Sequence, residues 1–372
     1  MKWVFWISLS VIAYTYFAYP LWLYLRRRWR SRPVQAAEMF PAVSVVMAVR
    51  DEAAVLPKKL QNLAQLDYPA DRLEIIGVSD GSTDATNQIL AGQASERLKV
   101  ITLAEPRGKA AALNAGVQAA RGEIVVFTDA RQWIEPSALR ALVANFADPA
   151  VGCVSGELMM GDPHSPRPLD GLGLYWRMEK GIRQWESDTG SVVGATGAFY
   201  AVRRELIPTL PVETILDDVY IPMHVARHGL RVVFESRAVA WDPLMPSPKQ
   251  EFRRKVRTLT GNYQLLRMAP WLLMRENPIR FELFSHKVLR LLVPFALLAA
   301  LVSSLFPTEL IYRATAVAQI SFYGLGLLAM AWPKLGSVLR LANAAHAFLL
   351  LNSAATVALF HFLRGTREVW AR

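Results

Sequence analysis

Cysteine is almost absent: Cys153 stands alone among 372 residues. No intrachain disulfide can form, and the setting of this thiol in the apolar run 151–154 suits a buried group rather than a nucleophile. Charge is also scarce, at 20% of residues against 53% hydrophobic. The apolar weight gathers at the two ends instead of spreading evenly, which points to lipid rather than to one large core. Gly-x-x-x-x-Gly-Lys-Ser/Thr is missing, which excludes a P-loop, and no Gly-x-Gly-x-x-Gly follows the first predicted strand, which sets aside a nicotinamide-dependent dehydrogenase. His164, His224 and His228 lack the His-Glu-x-x-His spacing of a metal site, and the last two read as helix surface or C-cap. There is no internal repeat and no low-complexity tract.

Residues 3–25 form an almost uncharged run, about as long as a helix needs to cross a hydrocarbon core. Arg26, Arg27, Arg28, Arg30 and Arg32 close it. A cleaved signal carries its charge ahead of a shorter apolar core, so this run reads as an anchor whose basic end lies in the cytoplasm. Three further apolar stretches, near 287–306, 310–332 and 338–363, are each long enough to span. The expected division is a transmembrane helix over 1–25, a basic linker over 26–40, a folded domain over 41–250, an amphipathic interface segment over 251–284, and about three transmembrane helices over 285–372. One span before the domain and three after it put the C-terminus outside, while Arg364, Arg367 and Arg372 ask for the inside. One stretch is therefore expected to be interfacial or re-entrant. The net charge of +11 flanks these spans, so the inner leaflet is its expected partner and nucleic acid is not.

Between the apolar ends, short β-branched runs alternate with helix-length segments, the pattern of βαβ units around a mostly parallel, Rossmann-like sheet. The predicted strands are 43–49, 73–79, 99–103 and 124–128, with helices at 56–66, 83–94 and 109–120. Their nearly continuous apolar character implies burial on both faces. Further strand-like pieces lie at 197–202, 231–235 and 238–241, and helices near 169–186 and 217–228. Ligands bind beyond the carboxyl ends of such strands, and the polar clusters fall there: Arg50-Asp51-Glu52, Asp80-Gly81-Ser82 and Asp129-Ala130-Arg131.

Each cluster has a chemical and a plain reading. Asp129 suits a hard divalent cation that offsets a diphosphate. Asp80 can accept from a nucleobase edge or ribose, or else it and Asp84 cap the next helix. The small-residue helix opening at Gly108-Lys109 offers free N–H groups and a cation to phosphate. In Asp217-Asp218, mutual repulsion can make one carboxylate a base, or both can simply compensate a helix N-terminus. Arg254-Lys255-Val256-Arg257 offers guanidinium forks either to a departing diphosphate or to anionic lipid. Trp133, Trp176 and Trp185 are candidate sugar platforms, although Trp is more often core or an interface anchor. His346 and His361 lie in or near apolar stretches, on a glycan or lipid path or in simple packing.

In this order and spacing the residues resemble the family 2 glycosyltransferases of GT-A fold, in particular the bacterial branch of cellulose-synthase-like and poly-N-acetylglucosamine-synthase-like membrane enzymes. The matching text is Val43 to Glu52, Ser79 to Asp84, Gly108-Lys109 with Asn114, Phe127 to Ala130, Gly194 to Phe199, and Leu216-Asp217-Asp218. The resemblance covers about 41–262. It implies a GT-A catalytic domain over 41–250 and an inverting transfer from a UDP-sugar, UDP-GlcNAc or UDP-glucose, to a growing polysaccharide or lipid-linked glycan at the inner membrane. It places the donor on Val49, Arg50, Glu52, Asp80, Lys109, Asp129, Arg131, Arg254 and Arg257, and Mg2+ or Mn2+ on Asp129. Asp218, with Asp217, is then the base. Three positions depart from the pattern: Arg131 replaces the second carboxylate of Asp-x-Asp, Thr258 replaces the Trp of Gln-x-x-Arg-Trp, and Ser79 replaces the first Asp before Asp80. They leave open a single transfer to polyprenyl phosphate, or a scaffold among the partner subunits of an export system.

Overall fold

The computed structural model describes residues 1–161, 173–243, 248–332, 335 and 338–365. His164, Arg367, Arg372 and the side chain of Trp176 lie outside the described residues. An eight-stranded mixed sheet runs in the order β3-β2-β1-β4-β7-β6-β8-β5. Its strands are β1 (Val43–Val49), β2 (Leu73–Asp80), β3 (Leu98–Leu103), β4 (Ile124–Thr128), β5 (Trp133–Ile134), β6 (Val151–Met160), β7 (Phe199–Arg203) and β8 (Arg231–Asp242). β1 pairs in parallel with β2 and β4, and β2 with β3. Antiparallel β7 joins this half to β6, which runs parallel to β8.

Predicted and observed strands agree where the sequence is uniformly apolar. β6, a ten-residue strand, reads in sequence only as a short run about Cys153, because Gly152, Ser155, Gly156 and Glu157 interrupt its pattern. β8 is one strand where two pieces are expected, since Ser236 and Arg237 break the apolar text at a point where the paired strand shifts register.

Within the domain the helices are α2 (Leu56–Ala64), α3 (Thr86–Gly92), α4 (Lys109–Ala119), α5 (Ala138–Ala144), α6 (Gly173–Thr189) and α7 (Asp217–Arg227). One core lies beneath β1 and β2 against α2 and α5, and a second on the opposite face against α4 and α7. α4 approaches closely because Gly116 has no side chain: a Cβ there would lie 2.4 Å from Val46 Cγ1 and 3.2 Å from Val78 Cγ2. Gly116→Ala gains roughly 1 kcal/mol of helix propensity but overpacks a filled contact, which costs about 1–3 kcal/mol. The expected outcome is a net fall in the urea midpoint with an unchanged m-value.

Among the described residues, four helices are long and apolar enough to cross a membrane: α1 (Lys2–Trp29) before the domain, and α9 (Arg280–Ser304), α10 (Leu310–Ala331) and α11 (Arg340–Arg364) after it. α1 runs past residue 25, so Arg26, Arg27 and Arg28 belong to its last turn rather than to the expected linker. α1 and α9 each contain a π-turn, at Tyr14–Ala18 and Phe284–Val288. The basic segment forms α8 (Pro248–Met268), which packs against the C-terminal half of α11. Val256 meets Ala354 and Ala358, and Tyr263 stacks on Phe362 at 5.8 Å. This packing brings the end of α11 beside α8.

Candidate active site

The loops after β1 and β2 are stapled to each other. Ser82 Oγ accepts from the Asp51 amide at 3.1 Å, Asp51 Oδ1 accepts from the Thr83 amide at 2.8 Å, and Thr86 Oγ1 accepts from the Glu52 amide at 2.9 Å. Asp84 Oδ1 accepts from the Thr86 amide at 2.9 Å and Oδ2 from the Ala53 amide at 3.1 Å, so Asp84 both caps α3 and ties it to the first loop. Val49 and Arg50 thus enter a fixed rim, the first buried and the second exposed. Gly81 turns the chain with φ 60°, and a Cβ there would fall 2.4 Å from the Pro106 nitrogen.

Asp80 does not cap the next helix, α3. Its carboxylate is buried and accepts from the amides of Arg107 (2.7 Å) and Gly108 (2.9 Å), the loop that opens α4. The carboxylate at the end of β2 therefore sets where Lys109 stands. Lys109 Nζ lies 3.0 Å from Asp129 Oδ1 and 3.2 Å from Asp217 Oδ1, so one ammonium joins the end of β4 to the start of α7. Burial opposes its charge, but Asp129, Asp217 and Asp218 outweigh burial and hold the ammonium well above its usual range. Asp129 is the mirror case: burial raises its pKa, and Lys109, Arg131 and Arg257 together bring it below the ordinary value. Arg131 and Arg257 are both exposed and both act on Asp129.

The two carboxylates of the doublet divide. Asp217 is buried and held twice, by Lys109 and by the Tyr200 hydroxyl at 3.2 Å. Asp218 is pushed up to about 6, first by burial and then by the charge of Asp217. Its Oδ2 lies against residue 197, where a Cβ would come within 2.8 Å, and its carbonyl accepts from the Ala195 amide at 2.7 Å. Only glycine at 197 leaves that carboxylate its place. Asp218 is thus the member of the pair able to take up a proton near neutral pH.

Arg254, expected on the donor, here pairs through Nη1 with buried Asp242 at 2.8 Å and through Nη2 with Glu251 at 2.9 Å. Asp242 also accepts from Gln132 Nε2 at 2.8 Å, so Arg254 braces the Asp129 loop from behind. The sequence reading also missed Lys59, 2% exposed, whose Nζ donates to Thr128 Oγ1 (2.9 Å) and to the Gln132 carbonyl (2.8 Å). Burial brings its ammonium down to about 7 against the pull of Asp129. A signal existed: Lys59 occupies an apolar phase of α2, between Leu56 and Leu63. Of the aromatic candidates, Trp185 packs with Tyr19, Leu23 and Ile182 against α1, and Trp133 lies under Lys58. His224 sits between the rings of Tyr220 and Trp271, and His228 is the C-cap of α7. No group of three His, Cys, Asp or Glu side chains able to hold a metal occurs among the described residues. A cation here would have Asp129 as its protein carboxylate and would take its other ligands from a phosphate-bearing donor, a habit of magnesium-type sites.

Acidic and basic groups gathered beyond the carboxyl ends of β1, β2 and β4, on a mixed sheet of this order, define a nucleotide-diphospho-sugar transferase fold of GT-A type. Its shape is matched by a mannosyltransferase, PcManGT from Pyrobaculum calidifontis, whose structure is in complex with GDP-Man and Mn2+. That likeness has a TM-score of 0.72 and 24% identity over 97% of this chain and 99% of that one. Residues 44–210 match Glycosyl transferase family 2, and the chain carries a domain of that family. Among curated relatives, the probable glycosyltransferase YdaM of Bacillus subtilis is 27% identical over 69% of this chain and 63% of its own length. The beta-monoglucosyldiacylglycerol synthase of Synechocystis is 28% identical over 74% and 61%. The poly-beta-1,6-N-acetyl-D-glucosamine synthase of Staphylococcus aureus is 23% identical over 71% and 63%. The chain spans just under two thirds of the length of these relatives.

Proposed function

We propose that this protein is an inverting glycosyltransferase that moves a sugar from a UDP-sugar, UDP-GlcNAc or UDP-glucose first, onto a growing polysaccharide or lipid-linked glycan at the inner membrane. The observation that carries the reading is the convergence on Lys109 of Asp129 and Asp217, with Asp218 beside them at a proton affinity suited to a base. In this reading the base and ribose of the donor lie along the Val49, Arg50 and Glu52 rim above Asp80. The diphosphate lies between Lys109, Arg131 and Arg257. Mg2+ or Mn2+, bound with the donor at Asp129, would supply charge compensation for the leaving diphosphate.

Asp218 takes the proton of an acceptor hydroxyl as that oxygen attacks the anomeric carbon from the side opposite the diphosphate. The new glycosidic bond forms, the bond to the diphosphate breaks, and the configuration inverts. The membrane setting rests on the four apolar helices and on the basic end of α1. Arg27 pairs there with Asp188 of α6 at 2.7 Å, on the domain side. Positive charge marks the cytoplasmic end of a span, so the catalytic domain faces the cytoplasm.

The test is to incubate membranes containing the protein with radiolabelled UDP-GlcNAc, UDP-glucose and GDP-mannose, with and without manganese. Label is followed into polymer, lipid and water-soluble fractions. Polymer or lipid-linked glycan carrying label supports the proposal, and label confined to a single sugar on polyprenyl phosphate moves it to the single-transfer reading. No turnover of any donor overturns it in favour of a scaffold.

A further inference from the structure

α6 carries Glu179, Arg183 and Glu186 at the spacing that places side chains on one helical face. Its outer members meet the apolar helices. His286, 1% exposed in the π-turn of α9, has Nδ1 at 2.8 Å from Glu186 Oε1 and Nε2 at 3.0 Å from Glu179 Oε1. Arg290, one turn on, holds Glu179 Oε2 at 2.7 Å, and Tyr19 of α1 donates to Glu186 Oε1 at 2.7 Å. The two π-turns also touch each other through Tyr14 and Ser285, 2.9 Å apart. Ionisable side chains within a membrane segment are costly unless paired, and they mark function more often than packing.

The same face reaches the loop that seats Asp218. Arg183 donates to Thr196 Oγ1 at 2.7 Å and to Ser155 Oγ at 2.5 Å, and Ser155 Oγ in turn accepts from the Thr196 amide at 2.9 Å. Glu186 Oε2 accepts from the Val193 amide at 3.4 Å. Residues 193–196 are therefore held by the middle and last members of this charged stripe, Arg183 and Glu186, and the same loop packs on Asp218 through Gly194, Ala195 and Gly197. Lys287, next in the chain to His286, lines one small pocket together with Val219, the neighbour of Asp218.

We infer that Arg183 and His286 are positioning residues: His286 locks α6 onto the apolar helices, and Arg183 uses that fixed helix to hold the 193–197 loop and, through it, Asp218. The membrane helices thereby take part in sugar transfer as well as in anchoring. The inference rests on the reading of Asp218 as the base.

The test uses the full chain in nanodiscs with whichever donor the wild type turns over. Arg183→Met and His286→Ala are expected to lower kcat for transfer about 100-fold, the effect of misplacing a reacting group by about an ångström. The donor KM should stay within about twofold of wild type, because the donor rim is untouched. Arg183→Lys should recover part of the loss. The double variant should be no worse than the poorer single, since one chain of contacts is cut twice. Wild-type kcat in Arg183→Met, a donor KM that rises as kcat falls, or additive losses overturn the inference. If His286→Ala does not fold, Thr196→Val removes only the far contact of Arg183 and should still lower kcat; a wild-type kcat there overturns it. Hydrogen exchange at the Ala195 and Thr196 amides provides a readout independent of turnover. Faster exchange in Arg183→Met supports the inference, and unchanged exchange overturns it. If the wild type turns over no donor, the glycosyltransferase reading fails alone, and exchange still decides whether Arg183 holds the loop.

Discussion

Asp218→Asn removes the proton acceptor while keeping shape, and transfer is expected to fall by about 100- to 10,000-fold, the span of general-base contributions. Donor affinity should hardly change, because only proton removal is lost. Equilibrium binding of the nucleoside diphosphate, measured beside transfer, separates the two effects. In the wild type the base must be unprotonated. With its pKa raised to about 6, kcat/KM should fall tenfold per unit as pH drops below that value, where an ordinary aspartate would hold until about pH 4. Full activity in Asp218→Asn, or a flat profile between pH 7 and 5, would remove Asp218 from the role.

Lys109→Met is the second large effect, and it acts on stability and chemistry together. It leaves Asp129 and Asp217 without their shared cation. Removing one partner of a buried pair costs about 3–5 kcal/mol. The lower end, about 3 kcal/mol, is expected here because the Asp129 side chain is 35% exposed and partly screened. The charge of Lys109 also lowers the proton affinity of Asp218, so its loss should move the acid limb of the activity profile to higher pH. Denaturant titration checks the first expectation and a pH series on the folded variant checks the second. A limb that stays in place, or moves to lower pH, would mean that Lys109 does not act on Asp218.

Much of this site was legible residue by residue. Strands buried on both faces show as nearly continuous apolar text, and most of Val43–Val49, Leu73–Asp80 and Ile124–Thr128 does so. The polar clusters that follow each strand then had to lie on one rim. The strands that escaped notice, β5 and β6, are short or carry glycine and polar residues opposite a register shift. That Asp242 would meet Arg254 could not be read from the basic segment itself. The pattern of α2 did contain Lys59, but a lysine in an apolar phase announces burial without naming its partners.

By itself, then, the order of residues determined the alternation of strands and helices, the apolar ends, and the set of acids and bases near a diphosphate. Those depend on local periodicity and on the hydrophobicity of contiguous segments. Only the tertiary structure decided that Asp80 holds the start of α4, that Lys109 divides itself between Asp129 and Asp217, and that a histidine of α9 reaches two glutamates of α6. These are contacts between side chains far apart in the chain. Which of them form is set by sheet order and helix packing, and no local pattern encodes that.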